Sequence, residues 1–568
     1  MAQHEGLLAA DAGRPRATFF TAFVFNVNFI MGSGILAIPH GFYEAGYLLA
    51  LAVLVVVTVL SFITISWNFE SQLRLFMLAD AFRRNKLRLV STESSAMSLP
   101  TLRGQLPGYP EATDSSAAPA TIDSPPACKS LNDFVEVLRG SQGGQLKYFP
   151  SMEEQSALGE TDWGGDTDFD SFESADYLEL NDIIFALGGK WASFAWNFVF
   201  CVFQLSVLWV FLTVLSSTSV LGIPLPGMTE YLQCNTNDPG FSTTGSCMSA
   251  IRIYFVIYSA VLTMLILKDW RWMPVMQKIF GVVVYIGVGI IAVTCIVAMA
   301  QHPYPGAKDQ VCVKPPCIQD IKPAKIGGFG VLFGVLVFAL LCHSGTSLIL
   351  RQMPSLASVK RVFAASFTAV MVMYCAMALV VIFYIGSETD KVATMDWSVY
   401  REWGAHGWIG SAIGNIVLFF PVFSVTAGFV LRARSLSDAV ETMLAAETKE
   451  KLSSLVLRHP YQKSGNGEVH RFQSALRVVV VLLALTLCQI SYKFDKALVF
   501  AGLAGFCILF FFPMICQLRS RRLLLKLGFT PSTPYDNAFS GNIVVIVVGV
   551  IGVVSFVYYI YSQVVAML

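Results

Sequence analysis

The sequence predicts an all-α polytopic membrane protein of about eleven transmembrane helices. Three observations carry that expectation. Of 568 residues, 55% are hydrophobic and only 14% charged, against about a quarter charged in soluble domains. The apolar residues gather into stretches close to the roughly 20 residues that cross a bilayer. Lys and Arg then fall mainly on one side of the stretches so defined. A net charge of +1 speaks against a general nucleic-acid binder, and membrane lipid is the expected surrounding.

In chain order, residues 1–17 form a polar N-terminus. It lacks a small-residue cleavage site after a short apolar core, so the first apolar segment is expected to be retained as a span. Candidate spans follow at 18–40, 47–69, 191–221, 250–267, 275–300, 328–350, 363–386, 408–431, 475–491, 497–517 and 542–566, the ninth being short. The chain divides into 1–17, two spans within 18–74, a loop over 75–185, and nine spans within 186–568. With the N-terminus in the cytoplasm, the basic clusters at 83–88, 432–434 and 519–526 are all cytoplasmic, as the positive-inside rule favours.

The 75–185 loop is rich in Ser, Pro and Gly, and residues 148–189 carry eleven carboxylates and no Lys or Arg. Such a segment cannot bury enough apolar surface to fold alone, and it is expected to be disordered and cytoplasmic. A solvated insert and a segment binding a cytosolic partner are both open. "YLEL" at 177–180 has the form of a tyrosine-based sorting signal. At 433–474, apolar residues at helical spacing suggest a helix lying on the protein's own cytoplasmic face.

The 12 cysteines are mostly single and lie in apolar runs, with no metal-ligand spacing. Two pairs differ. Cys234 and Cys247 flank a polar loop, and Cys312 and Cys317 sit in "CVKPPC". The charge asymmetry puts both pairs outside or in a lumen, so each is a disulfide candidate, with free thiols the alternative. No Asn-X-Ser/Thr sequon occurs.

Polar interruptions of the spans are where chemistry is expected. The first span reads "NVNFIMGSGILAIPHGFYEAG" from Asn26. Gly32-Ser33-Gly34 can open the backbone, and irregular backbone in a membrane is tolerated only where protein buries it or it lines a cavity. Free N–H groups there suit an anion and free C=O groups a cation. Close packing through small residues is the alternative. The sixth span is also interrupted, at "CHSGTS" around His343, Ser344 and Gly345. An inverted repeat of five spans plus five makes the first and sixth spans equivalent, so the two interruptions correspond. His343, an ionisable group inside a span, is a candidate proton relay or a neutral hydrogen-bonded histidine. In the eighth span, Pro421 is expected to distort the helix, and the Ser424 and Thr426 hydroxyls suit Na⁺ or bond back to their own helix.

These motifs resemble the amino acid/auxin permease family. "NFIMGSGILAIPHGFYEAG" is similar to its first-helix signature, "LNDIIFALGGKWASF" to its third-helix entry, "LLCHSGTSLILRQM" to its sixth-helix region and "LFFPVFSVTAGFVLRARSL" to its eighth. The His-Ser pair and "FPVF" are most similar to an uncharacterised eukaryotic multi-pass branch. The resemblance covers about 18–75 and 180–566. It implies a leucine-transporter-type fold, a 5+5 inverted repeat plus one extra helix, moving amino acids with H⁺ or Na⁺. It carries substrate contacts onto Asn28, Met31, Gly32, Ser33, Gly34, His343, Ser344 and Gly345, and a Na⁺ site onto backbone around Phe29–Gly32 with Ser424 and Thr426. "GFVLRARS" departs from the family in keeping arginines without the usual proline.

The expected function is therefore secondary active transport of amino acids by alternating access, not catalysis. There is no phosphate loop, His-Glu-x-x-His or Gly-x-Ser-x-Gly, and no cofactor is expected beyond the coupling ion. A small or neutral substrate is favoured, because no charged residue is evident within the proposed pocket. The alternative is a transporter-like amino-acid sensor signalling through the long loop. Plasma and endolysosomal or vacuolar membranes both fit.

Overall fold

The computed structural model describes residues 18–32, 34–97, 180–223, 225, 234, 246–268, 273–301, 321–343, 358–400, 407–444, 466–527, 529–533 and 535–567. Among these there is no β-strand. The α-helices are α1 (Phe19–Met31), α2 (Ile38–Ala45), α3 (Tyr47–Met97), α4 (Leu180–Gly222), α5 (Ser246–Leu267), α6 (Met273–Gln301), α7 (Phe329–Ala339), α8 (Val359–Ile385), α9 (Gly407–Met443), α10 (Asn466–Ile490), α11 (Phe494–Phe506), α12 (Phe512–Lys526) and α13 (Asn542–Met567). A π turn, Cys507–Phe511, joins α11 to α12 without interrupting the rod.

Nine helical stretches among the described residues are long and apolar enough to cross a membrane, from Tyr47–Leu78 to Asn542–Val565. The protein is a multi-pass membrane protein. Its outward faces agree: Ile253, Val256, Val261 and Met264 on α5, Val282, Ile286 and Val293 on α6, and Ile546, Val550, Val554 and Val557 on α13 are exposed. Aqueous surfaces rarely carry apolar bands of this extent, whereas lipid is their natural solvent. Two apolar helices are shorter, Phe19–Met31 and Ile326–Ala339, and they belong to the two interrupted segments.

α4 is the central rod. It packs most extensively against α9 and α11, and also against α5 and α10. α3 packs on α12, and α8 on α1, α2, α3 and α6. At one end α3 and α12 are joined by a buried ionic network. Arg74 donates to Glu70 at 2.9 Å, to Gln517 at 2.6 Å, to Asp536 at 3.1 Å and to the Pro531 carbonyl at 2.9 Å. Glu70 also accepts from Ser540 and Gln517. A buried charge is tolerated only when paired and hydrogen-bonded, and here every arm of the guanidinium is used.

Helix ends differ from the sequence expectation in three places. α3 continues past position 74 to Met97, and α4 starts at Leu180, so helix enters the 75–185 segment from both sides. α9 runs through Pro421 to Met443, absorbing the start of the 433–474 segment, with Leu436 and Ser437 buried. Residues 445–465 of that segment, residues 98–179 with Tyr177–Glu179 of "YLEL", and Cys312 and Cys317 lie outside the described residues. Cys234 and Cys247 form a disulfide.

Candidate functional site

The break in the first apolar segment is built by glycine. α1 ends at Met31, and Gly32 adopts φ +40°, ψ −147°, a conformation costly for any residue with a Cβ. Ser33 lies outside the described residues. A short 3-10 turn, Gly34–Leu36, leads into α2, where Pro39 sits in the first turn. There its missing N–H costs nothing, so the proline that breaks one helix starts the next.

The second break follows α7. Its last helical residue is Ala339, after which Leu340 leaves helical geometry and Cys342 and His343 follow. The two breaks touch. A Cβ on Gly34 would lie 2.4 Å from the Ala339 Cβ and 2.5 Å from its Cα, so glycine is required for this approach of backbones. Tyr374 of α8 then closes the junction. Its hydroxyl lies 3.0 Å from the Met31 carbonyl and 3.1 Å from the Ala339 carbonyl. Both are helix-terminal carbonyls that lack an intrahelical donor, and Tyr374 is fully buried.

His343 is fully buried beside them. Its Nε2 lies 2.8 Å from the Thr64 hydroxyl of α3. That hydroxyl donates to the Leu60 carbonyl at 2.9 Å, so its oxygen is the acceptor toward the imidazole. This assigns the imidazole proton to Nε2 and the lone pair to Nδ1. Ser344 and Gly345 lie outside the described residues.

Other expected site residues are placed elsewhere or are already engaged. The Asn28 side chain packs on α6, where a Cβ on Gly281 would come within 1.9 Å of its amide nitrogen. Ser424 donates to the Pro421 carbonyl at 3.2 Å and Thr426 to the Val422 carbonyl at 2.6 Å. Both hydroxyls bond back to their own helix, the commoner fate of Ser and Thr in apolar helices. Phe29 faces the Arg432 guanidinium, which lies 5.7 Å from its ring centroid and 5.5 Å from that of Phe203. Arg432 also donates to Gln204 at 3.2 Å.

Three contributors were not evident from the sequence. Tyr374 sits in an ordinary apolar run, and Thr64 is one hydroxyl among many. Arg432 reads as a loop charge until α9 is seen to continue beyond it. On the far side of the breaks, His40 Nδ1 lies 3.2 Å from the Thr389 carbonyl, and the 3-10 stretch Ala393–Val399 buries Trp397, which donates to Thr294 at 3.2 Å. Among the described residues no cluster of His, Cys, Asp or Glu could hold a metal ion. No protein-family model matches the chain, and no curated protein does.

Proposed function

We propose that this chain is a secondary active transporter of amino acids, with the paired breaks as its substrate site. The observation that carries the reading is the meeting of the two interrupted segments at Gly34 and Ala339, with one tyrosine hydroxyl on both helix-terminal carbonyls. Discontinuous helices that converge in a membrane present backbone groups to a ligand's ammonium and carboxylate. On this reading the two interrupted segments count as spans beside the nine long helices, which makes eleven, in a 5+5 inverted repeat plus one. The Cys234–Cys247 disulfide supports the orientation with the N-terminus in the cytoplasm, since disulfides persist on the oxidising side.

H⁺ is favoured over Na⁺ as the coupling ion. The fixed charge of Arg432 beside Phe29 repels a second cation there. His343, held by Thr64, is the candidate relay. The test is uptake of a panel of labelled amino acids into proteoliposomes under a pH or a Na⁺ gradient. Accumulation of one amino-acid class under the pH gradient is expected. A melting shift on binding without flux points instead to a sensor, and neither flux nor binding across the panel refutes the proposal.

A further inference from the structure

α3 carries a polar face that neither the breaks nor the ionic network accounts for. Ser61, Thr64, Asn68 and Ser71 recur at helical spacing, which places them within an arc of about 80°. The neighbouring faces are taken. Phe62 and Phe69 meet Phe367 and Phe363 of α8. Trp67, Glu70 and Arg74 bond to α12 and the 529–541 stretch. The polar arc is therefore a separate seam, and all four of its residues are buried.

Two of its four positions are anchored and two are not. Thr64 holds His343. Ser71 Oγ lies 3.4 Å from the hydroxyl of Ser520, itself 3.3 Å from Arg74. Between these, the Asn68 amide is fully buried and neither its nitrogen nor its oxygen meets a protein partner. The Ser61 hydroxyl, one turn above Thr64, is in the same position. An amide offers two donors and an acceptor, and leaving all of them unpaired in an apolar interior is strongly unfavourable. A ligand that both donates and accepts, and is small enough for a seam between packed helices, is water.

We propose that this face of α3 binds a file of ordered water molecules from Ser61 past Asn68 to Ser71, connecting His343 by hydrogen bonds to the Glu70–Arg74 network. The stretch from Ser61 to Ser71 rises about 15 Å, a distance that a few waters alternating with side chains can bridge. Resting on the reading of His343 as a proton relay, the file is the relay's cytoplasmic link. A proton passes along it by breaking one O–H bond and forming another at each oxygen.

Brief X-ray radiolysis in ¹⁸O-water tests the site, because radicals formed at bound water label adjoining side chains. Full-length protein in lipid nanodiscs is used, and the label is read on the α3 peptide containing Trp67 and Phe69. Label is expected there, well above that on the equally buried α4 peptide containing Phe211; equal labelling of the two overturns the proposal without needing any variant to fold. Asn68→Leu is expected to lose the label and Asn68→Ser to retain it. For the amino acid found by the uptake panel, Asn68→Leu should abolish pH-driven uptake while the melting shift on binding persists. Intact pH-driven uptake in a variant without label overturns the link to His343. A panel without any transported amino acid bears on the transport reading and leaves the labelling result standing.

Discussion

Tyr374→Phe isolates the junction of the two breaks. The substitution keeps the ring and its packing and deletes only the hydroxyl shared by the Met31 and Ala339 carbonyls at 3.0 and 3.1 Å. A phenol has one proton, so the two contacts form one three-centre bond and their costs do not simply add. Leaving a buried acceptor without a donor costs about 1–3 kcal/mol. The same range is expected here, because a second, weakly held carbonyl adds little. The assay is thermal unfolding of the purified protein in detergent, with uptake measured in parallel. Tyr558→Phe is the control, because its hydroxyl bonds the Ile326 carbonyl at 3.3 Å in an exposed position; surface changes of that kind stay within about 0.5 kcal/mol. A melting temperature well below both wild type and control, with impaired uptake, is the expected result. If Tyr374→Phe melts and transports like wild type, the hydroxyl does not hold the breaks together and the proposed site loses its support.

Gly34→Ala should lower both stability and uptake, since the new Cβ meets Ala339 backbone at 2.5 Å; overpacking of this kind costs about 1–3 kcal/mol. Adding Ala339→Gly should recover little, because the Cα stays in the way, and full recovery would contradict the geometry. Arg74→Met should be among the most damaging changes. It strands Glu70 at 0% exposure, and breaking a buried pair costs about 3–5 kcal/mol, visible as loss of monodisperse protein on size-exclusion chromatography. Ser424→Ala with Thr426→Ala should leave the ion dependence of uptake unchanged, because Arg432 already places a fixed positive charge beside Phe29; loss of a Na⁺-stimulated component would establish the cation site. Cys234→Ser should destabilise by about 3 kcal/mol, the scale for a loop of roughly 15 residues, the bridged cysteines being 13 apart, and reductant should lower the wild-type melting temperature toward that of the variant.

The apolar stretches were legible because a bilayer reads length and hydropathy, which are local. The position of the first break was legible for a related reason. Gly32 and Gly34 remove the Cβ that would forbid a positive φ or a close approach, and Pro39 can only begin a helix. The Cys234–Cys247 pair was legible as one of two candidates, from the polar loop between its members.

What faces the breaks was not legible. Tyr374 lies 343 residues from Met31, and Thr64 lies 279 from His343. Nothing in the local run of either residue differs from that of an ordinary buried side chain. Neither Arg74 nor Arg432 stands out in its local run, yet one is hydrogen-bonded to five residues and the other lies against Phe29 and Phe203. The sequence by itself determined that the chain crosses a membrane and where its helices give way, because those properties reside in consecutive residues. Only the tertiary structure decided which donors meet the opened backbone, because a hydrogen-bond partner is selected by how helices far apart in the chain pack in space.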